Sequence, residues 1–193
     1  LAGLQFFSGT QKNSLKRLAR ELRGLDAFIQ ELEQDCGWRA PELEFGPGFP
    51  VSYFAHDDFD EKEFLAEFSA LIEGMSFQGH IMLELGRSLT ASCGTYLTRV
   101  VDAKVNAGQR YAIVDGGMHQ LVYFGQSMAM KQPCCHLLGA DDENAAPADK
   151  ELWNICGSLC TVNDILAKQL PLSGLEQGSI LAFENAGAYC MTE

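Results

Sequence analysis

Several hallmarks of common protein classes are absent from this chain of 193 residues. No stretch approaches the roughly 18 consecutive apolar residues that a membrane-spanning helix requires. Basic residues are scarce, because 14 Lys and Arg stand against 26 Asp and Glu and the formal net charge is −12. Binding to a phosphate backbone relies on clustered positive charge, so we do not expect a nucleic-acid-binding protein. Because no long apolar stretch is present, we do not expect a membrane protein either. With 6 Pro and 47% hydrophobic residues, the composition is that of an ordinary folded protein.

The seven cysteines lack the spacing of a zinc site. No two of them form a C-x-x-C pair, and no histidine follows at the spacing of a zinc finger. The chain begins at Leu1 without an initiator Met or the features of a secretory signal. We therefore expect reduced thiols in a cytoplasmic protein, no bound metal, and a fragment of a longer chain.

The first part of the chain alternates between predicted strands and predicted helices. Short apolar runs at residues 4–7, 42–45 and 80–84 each lead into a loop that contains glycine. Between them, apolar residues recur at helical spacing from a capping Ser14 to Gly37, and again over residues 60–73. Strands that alternate with helices predict a parallel sheet covered by helices, so this part is of the α/β class.

The spacing of apolar residues changes after residue 87, from a helical to a strand-like pattern. Strand-like runs separated by Gly, Asn, Asp and Pro predict a mostly β domain over residues 88–193, with a polar loop at residues 141–150. The predicted strands cover residues 95–104, 109–115, 121–124, 152–156 and 180–184.

Two glycine loops follow consecutive predicted strands. One is Gly46-Pro47-Gly48, and the other contains Gly86 and Arg87. Glycine lets backbone N–H groups approach a phosphate, and the arginine adds a forked cationic donor. Either loop alone is more typical of a plain turn, but two on neighbouring strand ends favour an anion site.

Several segments, in order and at suitable spacing, resemble the fold-type III decarboxylases that depend on pyridoxal 5'-phosphate (PLP) and act on diaminopimelate, ornithine, arginine and related amino acids. The segments are residues 3–11 (GLQFFSGTQ), 43–50 (LEFGPGFP), 84–89 (ELGRSL), 112–118 (AIVDGGM), 156–164 (CGSLCTVND) and 184–189 (ENAGAY). The resemblance implies that residues 1–87 are the C-terminal strands and helices of a (β/α)8 PLP-binding barrel. It implies that residues 88–193 form the β domain, truncated at its C-terminal end.

The resemblance also implies which residues bind the cofactor phosphate. Gly46 and Gly48 match the glycine loop that holds it, and Gly86 and Arg87 match a second contact. Tyr189 matches a tyrosine that reaches the same phosphate. We expect these five residues to gather around one cofactor.

Other matched residues concern the cofactor ring and the reaction. Glu84 matches a carboxylate that faces the pyridine nitrogen and keeps it protonated, so that the ring accepts the electrons left when CO₂ departs. Phe7 stands where most relatives stack a histidine on the ring, and an aromatic side chain there still stacks. Cys160 matches a cysteine given to the neighbouring subunit's active site, with Asp164 in the same substrate-binding segment. The resemblance thus implies a homodimer with shared sites.

Two departures from the family pattern bear on substrate and completeness. Thr161 stands where decarboxylases of free diamino acids carry an acidic residue that recognises a distal ammonium group. The combination of FFSGTQ (residues 6–11) with C-T-x-x-D (residues 160–164) is similar to the branch that acts on an aminoacyl group tethered to a carrier protein. The chain also lacks the Tyr-Ala-x-Lys type motif that supplies the Schiff-base lysine. Lys12 lies nearest to a strand end, but its position before a helix favours a solvated side chain.

The sequence therefore predicts part of a PLP-dependent carboxy-lyase of amino-acid metabolism, acting on a free or a carrier-bound amino acid. Two alternatives stay open. One is a non-catalytic PLP-binding or interaction module of related fold, although such single-domain proteins lack the β domain. The other is an alanine racemase-like enzyme, whose family lacks the C-x-x-x-D and G-A-Y patterns.

Overall fold

The computed structural model describes residues 1–57, 59–126, 129–139 and 149–192. Contacts between backbone positions divide the chain into one unit of Leu1–Val51 and Asp58–Ser88 and another of Ser52–Asp57 and Leu89–Glu193. The sequence placed a boundary between residues 87 and 88 and did not separate Ser52–Asp57. That segment joins the second unit through long-range contacts, because Phe54 forms a β-bridge with Pro133.

Parallel strands and helices alternate along the first unit. The strands are β1 (Leu4–Phe7), β2 (Glu42–Gly46) and β3 (His80–Leu83), and the helices are α1 (Leu15–Cys36), α2 (Glu61–Glu73) and the short α3 (Gly86–Thr90). Within the described residues, the strands form a three-stranded sheet in the order β1-β2-β3, with both pairs parallel. The predicted α/β alternation is confirmed, but a complete barrel is not present in these residues.

Local sequence explains where helix α1 begins and ends. The Ser14 side chain accepts a hydrogen bond from the backbone N–H of Arg17 at the N-terminus. At the C-terminus Gly37 has φ 61°, and its N–H donates to the carbonyl of Glu33. Helix α2 is capped in the same way, because Asp60 accepts from the N–H of Glu63.

The core of the first unit lies between the helices and one face of the sheet. Helix α1 contributes a stripe of Leu18, Leu22 and Ile29, which packs with Phe45 of β2 and Phe68 of α2. Each such side chain stabilises the fold by roughly 1.5–3 kcal/mol when it is fully buried. Burial of this face leaves the alternate residues of the strands on the opposite face.

The second unit is built on an antiparallel-rich sheet. Its strands are β4 (Tyr96–Asn106), β5 (Gln109–Val114), β6 (Cys135–Leu137), β7 (Glu151–Cys156), β8 (Ile165–Leu172) and β9 (Ile180–Phe183). Among the described residues their order is β6-β9-β4-β5-β7-β8, with β5 and β7 parallel. A tight turn at Ala107 and Gly108, both with positive φ, joins β4 to β5. The predicted mostly β character of this part is confirmed.

The structure corrects several predicted elements of this unit. Residues 121–124 are not a strand, although Leu121 and Tyr123 are buried, because this segment follows a turn closed by the Gly117 carbonyl. Strand β8 was missed because it contains Pro171, which an edge strand tolerates. The predicted loop at residues 141–150 lies mostly outside the described residues.

In the described ranges, no helix combines the length and the apolar character needed to cross a bilayer. The same residues contain no group of three or more His, Cys, Asp or Glu side chains able to hold a metal ion. All seven cysteines are reduced, and none of them forms a disulfide.

Candidate cofactor site

The sheet face turned away from the helices carries polar side chains near the carboxyl ends of the strands. Phe6 and Phe45 face the core, so Gln5, Phe7 and Glu44 point the other way. Gln5 lies opposite Glu44 in the register of β1 and β2. The carboxyl ends of parallel strands meet at one edge, which is where α/β proteins place their chemistry.

Glu84 follows β3 and is anchored at this edge. Its backbone N–H donates to the carbonyl of Phe45 at 3.0 Å. Its carboxylate Oε2 accepts a hydrogen bond of 2.9 Å from the amide Nε2 of Gln5. The charge of Glu84, with partial desolvation and a hydrogen bond between the two side chains, raises the pKa of Glu44 above its ordinary value. Glu44 therefore holds a proton to a higher pH than an isolated glutamate does.

Phe7 and Glu84 approach each other across Gly46. A Cβ atom at Gly46 would lie 2.7 Å from Cδ2 of Phe7 and 3.4 Å from Oε2 of Glu84. Any larger residue would push the ring away, so glycine is required here for steric reasons. The Phe7 ring is 57% exposed. It offers a flat apolar surface directly beside a carboxylate.

The loop after β2 packs against the loop after β1. Gly48 has φ 61°, and a Cβ atom there would overlap the carbonyl oxygen of Gly9. The carbonyl of Gly48 accepts a hydrogen bond of 2.9 Å from the backbone N–H of Lys12. Glycine is therefore needed at residue 48 both for its conformation and for the close approach.

A buried arginine lies on the short helix α3, which follows β3. Arg87 is 8% exposed, and its Nε donates to Oγ1 of Thr10 at 3.2 Å. Thr10 Cα lies only 3.0 Å from the position that a Cβ atom of Gly48 would take. The sequence did not single out Thr10, although it lies inside the quoted FFSGTQ segment.

These residues fit PLP. A buried arginine, a threonine hydroxyl and a glycine turn without Cβ are suited to a phosphate. The exposed face of Phe7 is suited to an aromatic ring, and the carboxylate of Glu84 is suited to a protonated ring nitrogen. Phosphate and ring would occupy neighbouring positions, since Gly46 ends β2 and Gly48 lies two residues later in the loop that follows.

The expectation of a solvated Lys12 is wrong. Lys12 is 3% exposed, and its Nζ lies 2.7 Å from Oε2 of Glu21 and 3.1 Å from Oγ of Ser8. Burial raises the pKa of Glu21, but the hydrogen bonds from Lys12, Ser8 and Arg17 and the charge of Lys12 outweigh it, so the pKa lies below its ordinary value. The lysine thus stabilises the loop after β1.

The remaining predicted site residues lie in the second unit. Cys160 is exposed in the loop between β7 and β8. Asp164 is 2% exposed in the same connection. Tyr189 is half exposed and has φ 61°, a conformation that is an outlier for a bulky residue. Such strain recurs at functional positions.

The structure therefore brings together Phe7, Gly46, Gly48, Glu84 and Arg87 in the first unit. Gly86 begins α3 beside Arg87. Cys160, Asp164 and Tyr189 stay predictions as site residues.

Comparisons with known proteins identify relatives of this chain. Residues 19–187 match the family model described as the C-terminal sheet domain of pyridoxal-dependent decarboxylases. The chain is 27% identical over 195 residues to the L-glutamyl-[BtrI acyl-carrier protein] decarboxylase of Niallia circulans, covering 97% of this chain and 45% of that protein. It is 26% identical to the diaminopimelate decarboxylase of Methanocaldococcus jannaschii, covering 98% of this chain and 42% of that one.

A solved structure supports the fold. The crystal structure of the M. jannaschii diaminopimelate decarboxylase in complex with L-lysine superposes with a TM-score of 0.81 at 22% identity, covering 98% of this chain and 43% of that chain. The chain thus spans less than half the length of the relatives it matches.

Proposed function

The chain belongs to the pyridoxal-dependent decarboxylase family, and from this premise we propose that it forms part of an enzyme that removes the carboxyl group of an amino acid with PLP as cofactor. The observation that carries the proposal is the row of Phe7, Gly46 and Glu84 across three neighbouring strand ends. This row sets a flat aromatic face beside a carboxylate, as the cofactor ring requires.

The loops after β1 and β2 and the start of α3 would hold the phosphate of the cofactor. Arg87 supplies a forked positive charge, and the Thr10 hydroxyl beside it supplies a further polar contact. The turn at Gly46 and Gly48 lets the backbone come close to the phosphate oxygens. Gly86 joins this set by its place before Arg87, and Tyr189 joins it on the strength of the family resemblance.

Glu84 holds a proton on the pyridine nitrogen. Bound PLP supplies an electron sink for the pair of electrons left when CO₂ departs. The hydrogen bond from Gln5 orients the Glu84 carboxylate. The raised pKa of Glu44 lets this neighbouring side chain keep its proton to a higher pH, which limits the repulsion between the two carboxyl groups. Phe7 stacks on the ring and excludes water from its face.

Cys160 acts from the second unit. Its thiol is exposed on a loop, so it is available to the site of a partner subunit in a homodimer. There it donates a proton to the carbon that has lost CO₂, or excludes water from that carbon. Asp164 lies in the same segment and is itself the residue that the family resemblance predicts to bind substrate.

Several broader properties complete the proposal. The strands β1–β3 form the last part of a (β/α)8 barrel, and no lysine of residues 1–193 stands in a Tyr-Ala-x-Lys type motif. The enzyme is cytoplasmic, a location that suits seven reduced cysteines. Its substrate is a free amino acid or an aminoacyl group on a carrier protein. A carrier-bound substrate is favoured because residue 161 is threonine and not an acidic residue.

The test is release of CO₂ by the full-length protein, reconstituted with PLP, from a panel of free and carrier-linked amino acids. We expect the carrier-linked forms to react fastest. Free diamino acids as the best substrates would contradict the carrier-protein assignment. PLP binding without any CO₂ release would favour a non-catalytic module, and interconversion of L- and D-alanine would favour a racemase.

A further inference from the structure

Asp164 is a buried carboxylate between two loops of the second unit. One is the loop after β5 with Gly116, Gly117 and Met118, and the other is the loop after β7 that carries Cys160. Asp164 is 2% exposed, and a carboxylate is rarely buried so fully unless its oxygens are hydrogen-bonded.

Each carboxylate oxygen binds a different loop. Oδ1 accepts a hydrogen bond of 2.6 Å from the backbone N–H of Met118. Oδ2 accepts one of 2.8 Å from the backbone N–H of Leu159, next to Cys160. Hydrogen bonds from N–H groups to a charged acceptor are stronger than neutral ones, so one side chain links both loops.

Backbone hydrogen bonds reinforce this link. The N–H of Ser158 donates to the carbonyl of Gly116 at 2.8 Å, which joins the two loops directly. The N–H of Gly157 donates to the carbonyl of Asp164 at 2.9 Å. The loop that carries Cys160 is therefore closed by a hydrogen bond between its two ends, and it is bonded to the Gly116–Met118 loop.

Two glycines make room for the carboxylate. A Cβ atom at Gly117 would lie 2.5 Å from Oδ2 of Asp164, and one at Gly157 would overlap the same carboxylate. Neither glycine has a positive φ, so the conformation of the backbone does not require glycine at these positions. The close approach of Asp164 does require it.

We propose that Asp164 is a positioning residue, which fastens the Cys160 loop to the Gly116–Met118 loop and thereby fixes the place at which the Cys160 thiol is presented. Both oxygens of its carboxylate are occupied by backbone N–H groups. In place of the substrate contact that the family resemblance implies, Asp164 therefore acts on the reaction through the loop. The effect on catalysis rests on the proposed function, whereas the effect on the loop does not.

The test compares Asp164→Asn with Asp102→Asn in the full-length protein. Asparagine keeps one acceptor oxygen but turns an NH₂ group toward a backbone N–H, so one of the two links is lost. Asp102 is an exposed carboxylate of β4 near Lys104, and serves as the matched control.

The first measurement is made without cofactor or substrate. For Asp164→Asn we expect amide hydrogen exchange at Met118 or at Leu159, whichever amide faces the new NH₂ group, to be about tenfold faster, as the loss of roughly 1.4 kcal/mol implies. We also expect the alkylation rate of Cys160 with iodoacetamide, resolved by mass spectrometry, to change at least about threefold, again as a consequence of the freed loop. Unchanged exchange and alkylation would overturn the proposal.

The second measurement is steady-state kinetics. A positioning role predicts a fall in kcat with little change in KM, whereas a raised KM with normal exchange would make Asp164 a direct substrate ligand and overturn the proposal. Normal kcat despite faster exchange would also overturn it. If the unaltered protein releases no CO₂ but the exchange and alkylation results hold, the proposed function fails and the loop linkage stands.

A measurement on the unaltered protein covers the case in which Asp164→Asn does not fold. The amides of Met118 and Leu159 are then compared with that of Val162, an exposed residue of the same loop. We expect exchange at the two bonded amides to be at least about 100-fold slower than at Val162, as for amides in stable hydrogen bonds. Equal rates would overturn the proposal.

Discussion

Gln5 of β1 donates a hydrogen bond of 2.9 Å to the carboxylate of Glu84, which follows β3, although β2 runs between these two strands. The bond crosses over β2, whose own Glu44 lies close enough for its pKa to be raised by Glu84. Three strands thus contribute to the orientation of one carboxylate. This arrangement exists only because β1, β2 and β3 run parallel with their carboxyl ends at one edge.

Replacing Glu84 by glutamine is expected to lower kcat of the full-length enzyme about 100-fold or more, a size typical of the loss of one electrostatic stabiliser. Glutamine cannot keep the ring nitrogen protonated, but the phosphate contacts remain, so PLP affinity should change little. Enzyme kinetics and cofactor titration check the two effects. Glu42→Gln is the control, because Glu42 lies at the opposite end of β2 beside His80. An unchanged rate in Glu84→Gln would contradict the proposed role.

Replacing Arg87 by alanine is expected to weaken PLP retention. The loss of a charge-assisted hydrogen bond corresponds to about 1.5–3 kcal/mol, or roughly 10- to 150-fold in Kd. Dialysis followed by absorbance titration measures it. Arg39→Ala removes an exposed arginine that pairs with Glu33 and should leave Kd unchanged. Equal Kd values in the Arg87 and Arg39 variants would argue against a phosphate site at this loop.

The Lys12–Glu21 pair makes stability depend on pH. The pKa of Glu21 is lowered from its ordinary 4.5 in the folded protein, so its stabilising effect is complete above that value and is lost as the pH falls below it. Glu21→Gln leaves the Lys12 charge buried without its partner and should cost about 3 kcal/mol at pH 7.

Thermal unfolding of both proteins between pH 3 and 7 measures this effect, and the difference between them should shrink below the ordinary pKa of glutamate. Glu33→Gln serves as the control, because its exposed pair with Arg39 contributes little at any pH. A difference that stays constant down to pH 3 would refute the proposed linkage.

Two glycine substitutions are expected to have opposite effects on stability. Gly48→Ala places a side chain at φ 61° and against the carbonyl of Gly9, so it should destabilise the fold by at least about 1–2 kcal/mol and weaken PLP binding. Gly24→Ala lies inside α1 with no atom within 4 Å of the new Cβ and should stabilise it by about 0.5–1 kcal/mol. Urea unfolding measures both changes. Equal effects would show that neither the close approach nor the conformation matters at Gly48.

The parts of the fold that depend on residues close together in the sequence were predictable. The Ser14 and Gly37 signals predicted the ends of α1, because capping depends on residues within one helical turn. The segment 121–124 was wrongly predicted as a strand, because an apolar run in the sequence does not show whether a neighbouring strand is there to pair with it. Strand β6, with three residues, is too short for any periodic signal.

The site was predictable to the extent that its residues fall in recognisable segments. Phe7, Gly46, Gly48, Glu84 and Arg87 were named from the sequence, and the structure gathers them at one edge of a sheet. Gln5 and Thr10 were not named, because their contacts with Glu84 and Arg87 span 79 and 77 residues of the chain. Contacts between residues so far apart in the chain produce no signal in the neighbouring sequence.

The order of amino acids alone determined the strand–helix alternation, the capped helices and the family to which the chain belongs, since these depend on periodicity, caps and ordered motifs. Only the tertiary structure decided that Lys12 is buried in an ion pair rather than solvated, and that the carboxylate of Asp164 joins two loops. Both outcomes depend on which distant groups surround a charge. The fate of a charged side chain is set by its partners and its exposure to water, and these exist only once the chain has folded.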